Sequence, residues 1–251
     1  MDTNIKEIGH VSFRIKDKDA MKDFYHRTLG LSLGFLLKNQ YDEERILYYQ
    51  LHKGQFVECF PVTKTSGYPE YDGLGHCADH SYQYTTLGVG EGRKVVDPEG
   101  NVWMVNDGEQ YISKVTYYVN DIKRSVAFYR DIVEADIEEV TVERAIVRMN
   151  EYQTIELIFH PYPKNNYTTN KGHCHYALIV HDIEKFARKL EGKDVQIWRA
   201  HKEKNDPYTV PYQKVKHTEN SYNFFITDPD DNNIEVMGYS PESLQLKYAL
   251  D

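Results

Sequence analysis

An α+β fold assembled from tandem βαβββ modules is the class that this 251-residue sequence predicts. Two internal repeats and one change of hydrophobic period predict it. The stretch IGHVSFRIKDKDAMKDFYHRTLGL, from Ile8, aligns without a gap to ISKVTYYVNDIKRSVAFYRDIVEA, from Ile112, setting Asp17 on Asp121 and Phe24-Tyr25 on Phe128-Tyr129. A second repeat sets Gly75-His76-Cys77 on Gly172-His173-Cys174, then DPEGNVWMV from Asp97 on DPDDNNIEV from Asp228. Repeats of this kind define modules. The chain reads as four, the first repeat relating module 1 to module 3 and the second relating 2 to 4.

Module 1 opens with a strand, His10 to Ile15, in which Val11, Phe13 and Ile15 alternate with His10, Ser12 and Arg14. Asp17 caps a helix whose Met21, Phe24, Tyr25 and Leu29 recur at helical spacing, and Gly30 stops it. Strands follow at Leu33 to Leu37, Ile46 to Leu51 and Gln55 to Phe60, with a turn at Lys53-Gly54 before the last. Module 3 repeats the unit from Ile112 to Phe159, its helix starting at Asp121 and its last strand being Thr154 to Phe159. Module 4 runs from Gly172 to Tyr239, with helix positions Ile183, Phe186, Ala187 and Leu190 ending at Gly192. Its polar stretch from Arg199 to Ser221 reads as a lid-like surface loop. Module 2 has no room for a helix between His80 and Asp97 and is 34 residues shorter than module 4 between the same landmarks, so it is a degenerate copy.

Composition excludes several functions. The net charge is -9 and the lysines are scattered, which argues against nucleic acid as a partner. No run approaches the roughly 18 apolar residues of a membrane span, and MDTNIKEIGH lacks the features of a secretory signal, so a cytoplasmic protein is expected. Cys59, Cys77 and Cys174 form no CxxC pair and read as reduced thiols. The DPEGN and DPDDN segments lack calcium-loop spacing and read as tight turns before a strand. No Walker A, G-x-S-x-G or G-x-G-x-x-G motif supports a nucleotide cofactor.

The candidate chemistry lies on the strand face opposite the apolar one. On the first strand of each module that face holds His10, His80, Lys114 and His175; on the last strand it holds Glu58, Met104, Glu156 and Glu235. A single histidine at a sheet edge is ordinarily just a satisfied polar residue. Here the positions recur with glutamates that lie inside apolar strands, where an unpaired charge is costly. Imidazole with carboxylate suits a divalent first-row metal. Arg14 and His173 share this face and read as ion-pairing or solvent-exposed groups.

The paired βαβββ units, the FY of the first helix and the DPxxN before the last strand together resemble the vicinal oxygen chelate superfamily, which includes glyoxalase I, bleomycin resistance proteins and extradiol dioxygenases. The resemblance covers nearly the whole chain and implies the glyoxalase/dioxygenase fold of two cup-shaped mixed sheets. It divides the chain into one glyoxalase-like half at 1–110, with modules 1 and 2, and another at 111–251, with modules 3 and 4. It implies a divalent ion (Ni, Zn, Mn or Fe) held by ligands from the first and last strands of two modules. If sequence neighbours pair, one cup holds His10, Glu58, His80 and Met104, the other Lys114, Glu156, His175 and Glu235, and each lacks a ligand. If module 1 pairs with module 4, one cup holds His10, Glu58, His175 and Glu235, a complete set and the preferred one. His80 and Glu156 stand as second-tier ligands.

The function this implies is glyoxalase-like lyase or isomerase chemistry on a small substrate with neighbouring oxygens, Glu58 or Glu235 being the proton-moving catalytic residue. An Fe(II) extradiol-type dioxygenase, built on His10, His80 and Glu58, and a metal-free binding protein of the bleomycin-resistance kind are the alternatives. The loops Pro61 to Ala78 and Arg199 to Ser221 are expected to shape the substrate site, in a monomer or homodimer.

Overall fold

A computed structural model describes residues 4–39, 41–62, 83–90, 92–161, 175–195, 197–198, 221–230 and 232–248. Module 1 supplies β1 (Ile5–Ile15), α1 (Lys18–Asp23), β2 (Ser32–Lys38), β3 (Glu44–Gln50) and β4 (Phe56–Pro61). Module 2 supplies β5 (Gln83–Leu87), β6 (Arg93–Val96) and β7 (Val102–Val105). Module 3 supplies β8 (Ile112–Val119), α2 (Ile122–Phe128), β9 (Asp136–Val140), β10 (Arg144–Arg148) and β11 (Thr154–Phe159). Module 4 supplies β12 (His175–Val180), α3 (Ile183–Lys189), β13 (Ile197–Trp198), β14 (Ser221–Thr227) and β15 (Asn233–Tyr239), and α4 (Leu244–Lys247) follows.

Two mixed sheets result, the first drawing its strands from both ends of the chain and the second from its middle. The first runs β13-β14-β15-β12-β1-β4-β3-β2, so module 4 joins module 1 through the antiparallel pair β12 and β1. The second runs β6-β7-β5-β8-β11-β10-β9, joining module 2 to module 3 through β5 and β8. Module 2 contributes three strands where module 4 contributes four, and no helix lies among the described residues between β5 and β6.

The local structure follows the repeat. Asp17, Asp121 and Asp182 each cap a helix, their carboxylates accepting from the backbone of Ala20, Arg124 and Lys185. The helices of modules 1 and 3 both end in a π-helical turn, Phe24–Thr28 and Tyr129–Val133, which buries Tyr25 and Tyr129 completely. Gly30 then turns with φ +71°, and Glu134, its counterpart, adopts φ +65° without being glycine.

One continuous core receives the apolar faces of both sheets. Tyr117 of β8 meets Tyr176 of β12 at 5.8 Å between ring centroids, and Phe13 of β1 meets Trp103 of β7 at 5.1 Å. Buried amides stitch the same seam. Gln55 Oε1 accepts from the Ile112 amide, while Gln153 Oε1 accepts from the Ile8 amide and Gln153 Nε2 donates to the carbonyls of Ile8 and Ile112.

The DPEGN segment is a tight turn, and the described residues of DPDDN repeat its hydrogen bonds. Asp97 Oδ1 accepts from the amides of Glu99 and Asn101, and Asp228 Oδ1 from those of Asp230 and Asn232. The turns also dock across modules. Glu99 caps the amides of Lys16 and Asp17, and Asp230 accepts from the Asn120 amide and the Ser125 hydroxyl. No helix among the described residues is long and apolar enough to cross a membrane.

Candidate metal centre

Strand register places the four preferred residues together. Antiparallel pairing sets His10 opposite Ala177 and Ser12 opposite His175, so the two histidines are diagonal neighbours on one face. Parallel pairing then sets Glu58 of β4 beside Ser12 and Glu235 of β15 beside Ala177. Each carboxylate therefore faces, across one intervening strand, the histidine of the other module. The intervening side chains, Ser12 and Ala177, are small and fully buried, which leaves the space between the four groups open to their own atoms.

The resulting distances are short. His10 Nε2 lies 3.2 Å from His175 Nε2, 3.2 Å from Glu58 Oε2 and 3.0 Å from Glu235 Oε2. His175 Nε2 lies 3.1 Å from Glu235 Oε2 and 3.6 Å from Glu58 Oε2. One donor atom from each of the four side chains falls within 4.8 Å of all the others. Every one of the four residues is at most 5% exposed.

Electrostatics reinforce the grouping. Burial by itself would lower the pKa of His10, but the carboxylates of Glu58 and Glu235 outweigh it and raise the imidazole to about 10. His175 is raised by the same two carboxylates against the same burial. Burial would push Glu58 and Glu235 up; the imidazoles instead hold both well below the usual carboxylate range. The cluster is thus a buried charge system that favours its ionised carboxylates.

These residues fit a divalent ion. Ligands about 2.1 Å from one ion stand roughly 3.0 Å apart in octahedral and 3.4 Å apart in tetrahedral geometry, and the five distances above run from 3.0 to 3.6 Å. Glu58 Oε2 is buried and is met by the two imidazole nitrogens, His10 Nε2 at 3.2 Å and His175 Nε2 at 3.6 Å. Two imidazoles and two carboxylates also form a donor set that first-row divalent ions favour, and their charge would be neutralised by such an ion. This buried group can hold a metal ion.

Two residues that the repeats do not mark complete the site. Tyr48 Oη donates to Glu58 Oε1 at 2.5 Å, and Asn223 Nδ2 donates to Glu235 Oε1. Tyr48 was legible in principle, because the turn at Lys53-Gly54 sets β3 against β4 with Tyr48 opposite Glu58. Asn223 follows a long insertion and had no such signal. Phe225 stands edge-on to the His175 ring at 5.1 Å between centroids.

The remaining candidates are placed differently. Glu156 lies in the second sheet, where Lys114 Nζ and Arg144 Nε each approach one of its oxygens at 2.7 Å and Thr116 donates to it at 3.1 Å. It does not join the cluster. Met104 is opposite Thr86, the position matching Glu235. His80 and His173 lie outside the described residues, as do most of the loops expected to shape the substrate site and Cys77 and Cys174; Cys59 is buried and forms no disulfide among the described residues. The strand after His80 is nonetheless described, and it is Tyr84 that stands opposite Thr116 as His175 stands opposite Ser12. Arg14 is buried on the His10 face beside Phe60.

A sequence profile of the Glyoxalase/Bleomycin resistance protein/Dioxygenase superfamily matches residues 111–236, half of the chain. The chain belongs to this superfamily. Its fold is similar to that of glyoxalase I from Zea mays, at 16% identity over 92% of each chain with a TM-score of 0.60. It is likewise similar to a candidate dioxygenase from Bacillus subtilis subsp. subtilis str. 168, at 12% identity over 98% of this chain and 89% of that one, with a TM-score of 0.66. At these identities the likeness is one of superfamily fold. No curated protein matches the chain.

Proposed function

We propose that this superfamily member is a metal-dependent enzyme acting on a small substrate with oxygens on neighbouring carbons, by glyoxalase-like lyase or isomerase chemistry. The convergence of His10, Glu58, His175 and Glu235 on one buried point carries the proposal. These four residues would hold a divalent ion, nickel, zinc, manganese or iron, whose Lewis acidity would stabilise negative charge developing on the substrate oxygens.

The chain's own residues supply the rest. His10 and His175 face each other from adjacent antiparallel strands, so the sheet holds both imidazoles. Glu58 and Glu235 are held ionised, the state from which a carboxylate accepts a proton, and one of them moves the proton between adjacent carbons. Burial of all four residues excludes bulk water and strengthens each interaction within the site.

The sheet pairing favours this reading over an Fe(II) oxygenase that uses His10, Glu58 and His80. The strand that follows His80, β5, belongs to the second sheet, whereas β1 belongs to the first. A metal-free binding protein has no evident use for two buried carboxylates facing two buried imidazoles.

Elemental analysis of the purified protein tests the site. About one equivalent of metal is expected in the wild type and in His80→Ala, and little in His10→Ala or His175→Ala. Metal retained in both of the latter variants sinks the ligand set. The chemistry is tested by exchange of a carbon-bound proton of 2-hydroxy carbonyl compounds into deuterated water. Exchange lost in Glu58→Gln or Glu235→Gln with metal retained supports the proton-moving role, and full exchange in both removes it.

A further inference from the structure

Both carboxylates of the cluster are held in the same way, by a donor outside it. Tyr48 Oη occupies Glu58 Oε1, and Asn223 Nδ2 occupies Glu235 Oε1. In each case the other oxygen, Oε2, is the one that faces the imidazoles. Tyr48 is 1% exposed and Asn223 9%, so water offers neither side chain an alternative partner. The two donors reach their carboxylates by different routes. Tyr48 is the direct cross-strand neighbour of Glu58, whereas Asn223 lies opposite Met237, one diagonal step from Glu235.

The second sheet provides an internal comparison. There Ile146 stands opposite Glu156, as Tyr48 stands opposite Glu58, and it has no donor to offer. The position matching Glu235 is Met104, and its neighbour on β6 is Lys94. Glu156 is satisfied instead by Lys114 and Arg144, which occupy both of its oxygens. Where the His/Glu set is complete a neutral donor alone engages the outer oxygen of each glutamate, and where it is not, cations take both oxygens of Glu156, with the Thr116 hydroxyl beside them.

From this we infer that Tyr48 and Asn223 are positioning residues of the metal site, which act through Glu58 and Glu235 by engaging one oxygen of each and presenting the other to the ion. The inference rests on the proposal that the cluster binds metal. A carboxylate with one oxygen engaged presents a single oxygen inward, so four protein ligands contribute four donor atoms. An ion held by those four atoms would, if six-coordinate, keep two positions for neighbouring substrate oxygens. Releasing either outer donor frees a carboxylate to rotate and offer both oxygens.

The test uses Tyr48→Phe and Asn223→Ala in the full-length protein, with cobalt(II) as the probe. Tyr48→Phe keeps the ring that stacks on Phe35 at 4.2 Å and removes only the hydroxyl, and thermal melting checks that each variant is folded. Cobalt affinity is measured by competition with a chelator, and the visible absorption of the bound ion reports its coordination without any substrate. Loss of an outer partner of a metal ligand typically weakens binding about 10- to 100-fold. That loss, with a changed cobalt spectrum in a folded Tyr48→Phe protein, is the expected result. Ile146→Val, at the matching place in the second sheet, is expected to change neither. Wild-type affinity and an unchanged spectrum in Tyr48→Phe overturn the inference while leaving the metal site standing. A wild-type protein that takes up no cobalt overturns the metal site and the inference with it.

Discussion

Ala177 lies directly across the strand pair from His10, just as Ser12 lies across from His175. The two small side chains form the floor over which Glu58 and Glu235 reach the imidazoles of the opposite module. Their counterparts in the second sheet are the larger Thr116 and Thr86. Filling the floor should therefore abolish metal binding before it abolishes the fold. Ala177→Leu inserts three heavy atoms at a fully buried site, which costs about 1–3 kcal/mol of stability by overpacking. The expected outcome is a folded protein by circular dichroism with metal content near zero. Metal uptake at the wild-type level would show that the floor does not shape the site.

Glu156, a glutamate in the same type of strand position as Glu58, is saturated by Lys114 and Arg144. Both cations are a third or more exposed, so solvent screens the pairs and each contributes no more than about 1 kcal/mol. Glu156→Ala should leave metal content at the wild-type value and stability within about 1–2 kcal/mol of it. Elemental analysis showing loss of metal would place Glu156 in the site.

Gln153 is completely buried and makes three hydrogen bonds to the backbone of β1 and β8, one as acceptor and two as donor. Truncation strands those backbone groups away from water, and buried unsatisfied groups cost about 1–3 kcal/mol each. Gln153→Ala should destabilise the protein by about 2–4 kcal/mol, read from the urea midpoint at constant slope. A change below about 0.5 kcal/mol would mean that the seam does not depend on this amide.

Asp228, fully buried beneath its turn, has its carboxyl pushed up to about 7 by burial, and Asp97 is pushed to about 6 in the same way. Their hydrogen bonds to Asn232 and Asn101 oppose the rise without cancelling it. A carboxyl raised in the folded state contributes stability that is fully present below the unfolded value, near 3.8, and is lost as pH rises through the folded value. For Asp228 that loss begins near pH 4 and ends a little above pH 7, its last part falling between about pH 6 and 8. Comparing melting across this range, the wild type should lose about 1 kcal/mol more than Asp228→Asn. Parallel profiles for the two proteins would show that Asp228 does not titrate there.

Much of this architecture was legible in one dimension. The gapless repeat fixed the helix caps at Asp17 and Asp121, because capping needs only a short acidic side chain next to a helical apolar period. The alternation from His10 to Ile15 put His10 on the polar face, and the DPxxN repeat put Glu235 and Met104 at matching places, because side-chain direction in a strand follows from a count of two. Tyr48 was within reach through the hairpin turn. Asn223 was not, since the 34 extra residues of module 4 precede it and no local rule sets its register.

The sequence by itself determined the modules, the strand faces and the residues able to ligate a metal. The tertiary structure decided which modules meet. His10 and Glu58 are compatible in sequence with either partner, because pairing between distant edge strands depends on how β1 and β12 align and on which apolar faces reach the common core. Those are contacts between residues more than 160 positions apart, and no periodicity within a module encodes them. By joining β1 to β12 and not to β5, the fold gathered two imidazoles and two carboxylates in one sheet and left Glu156 to its cations in the other.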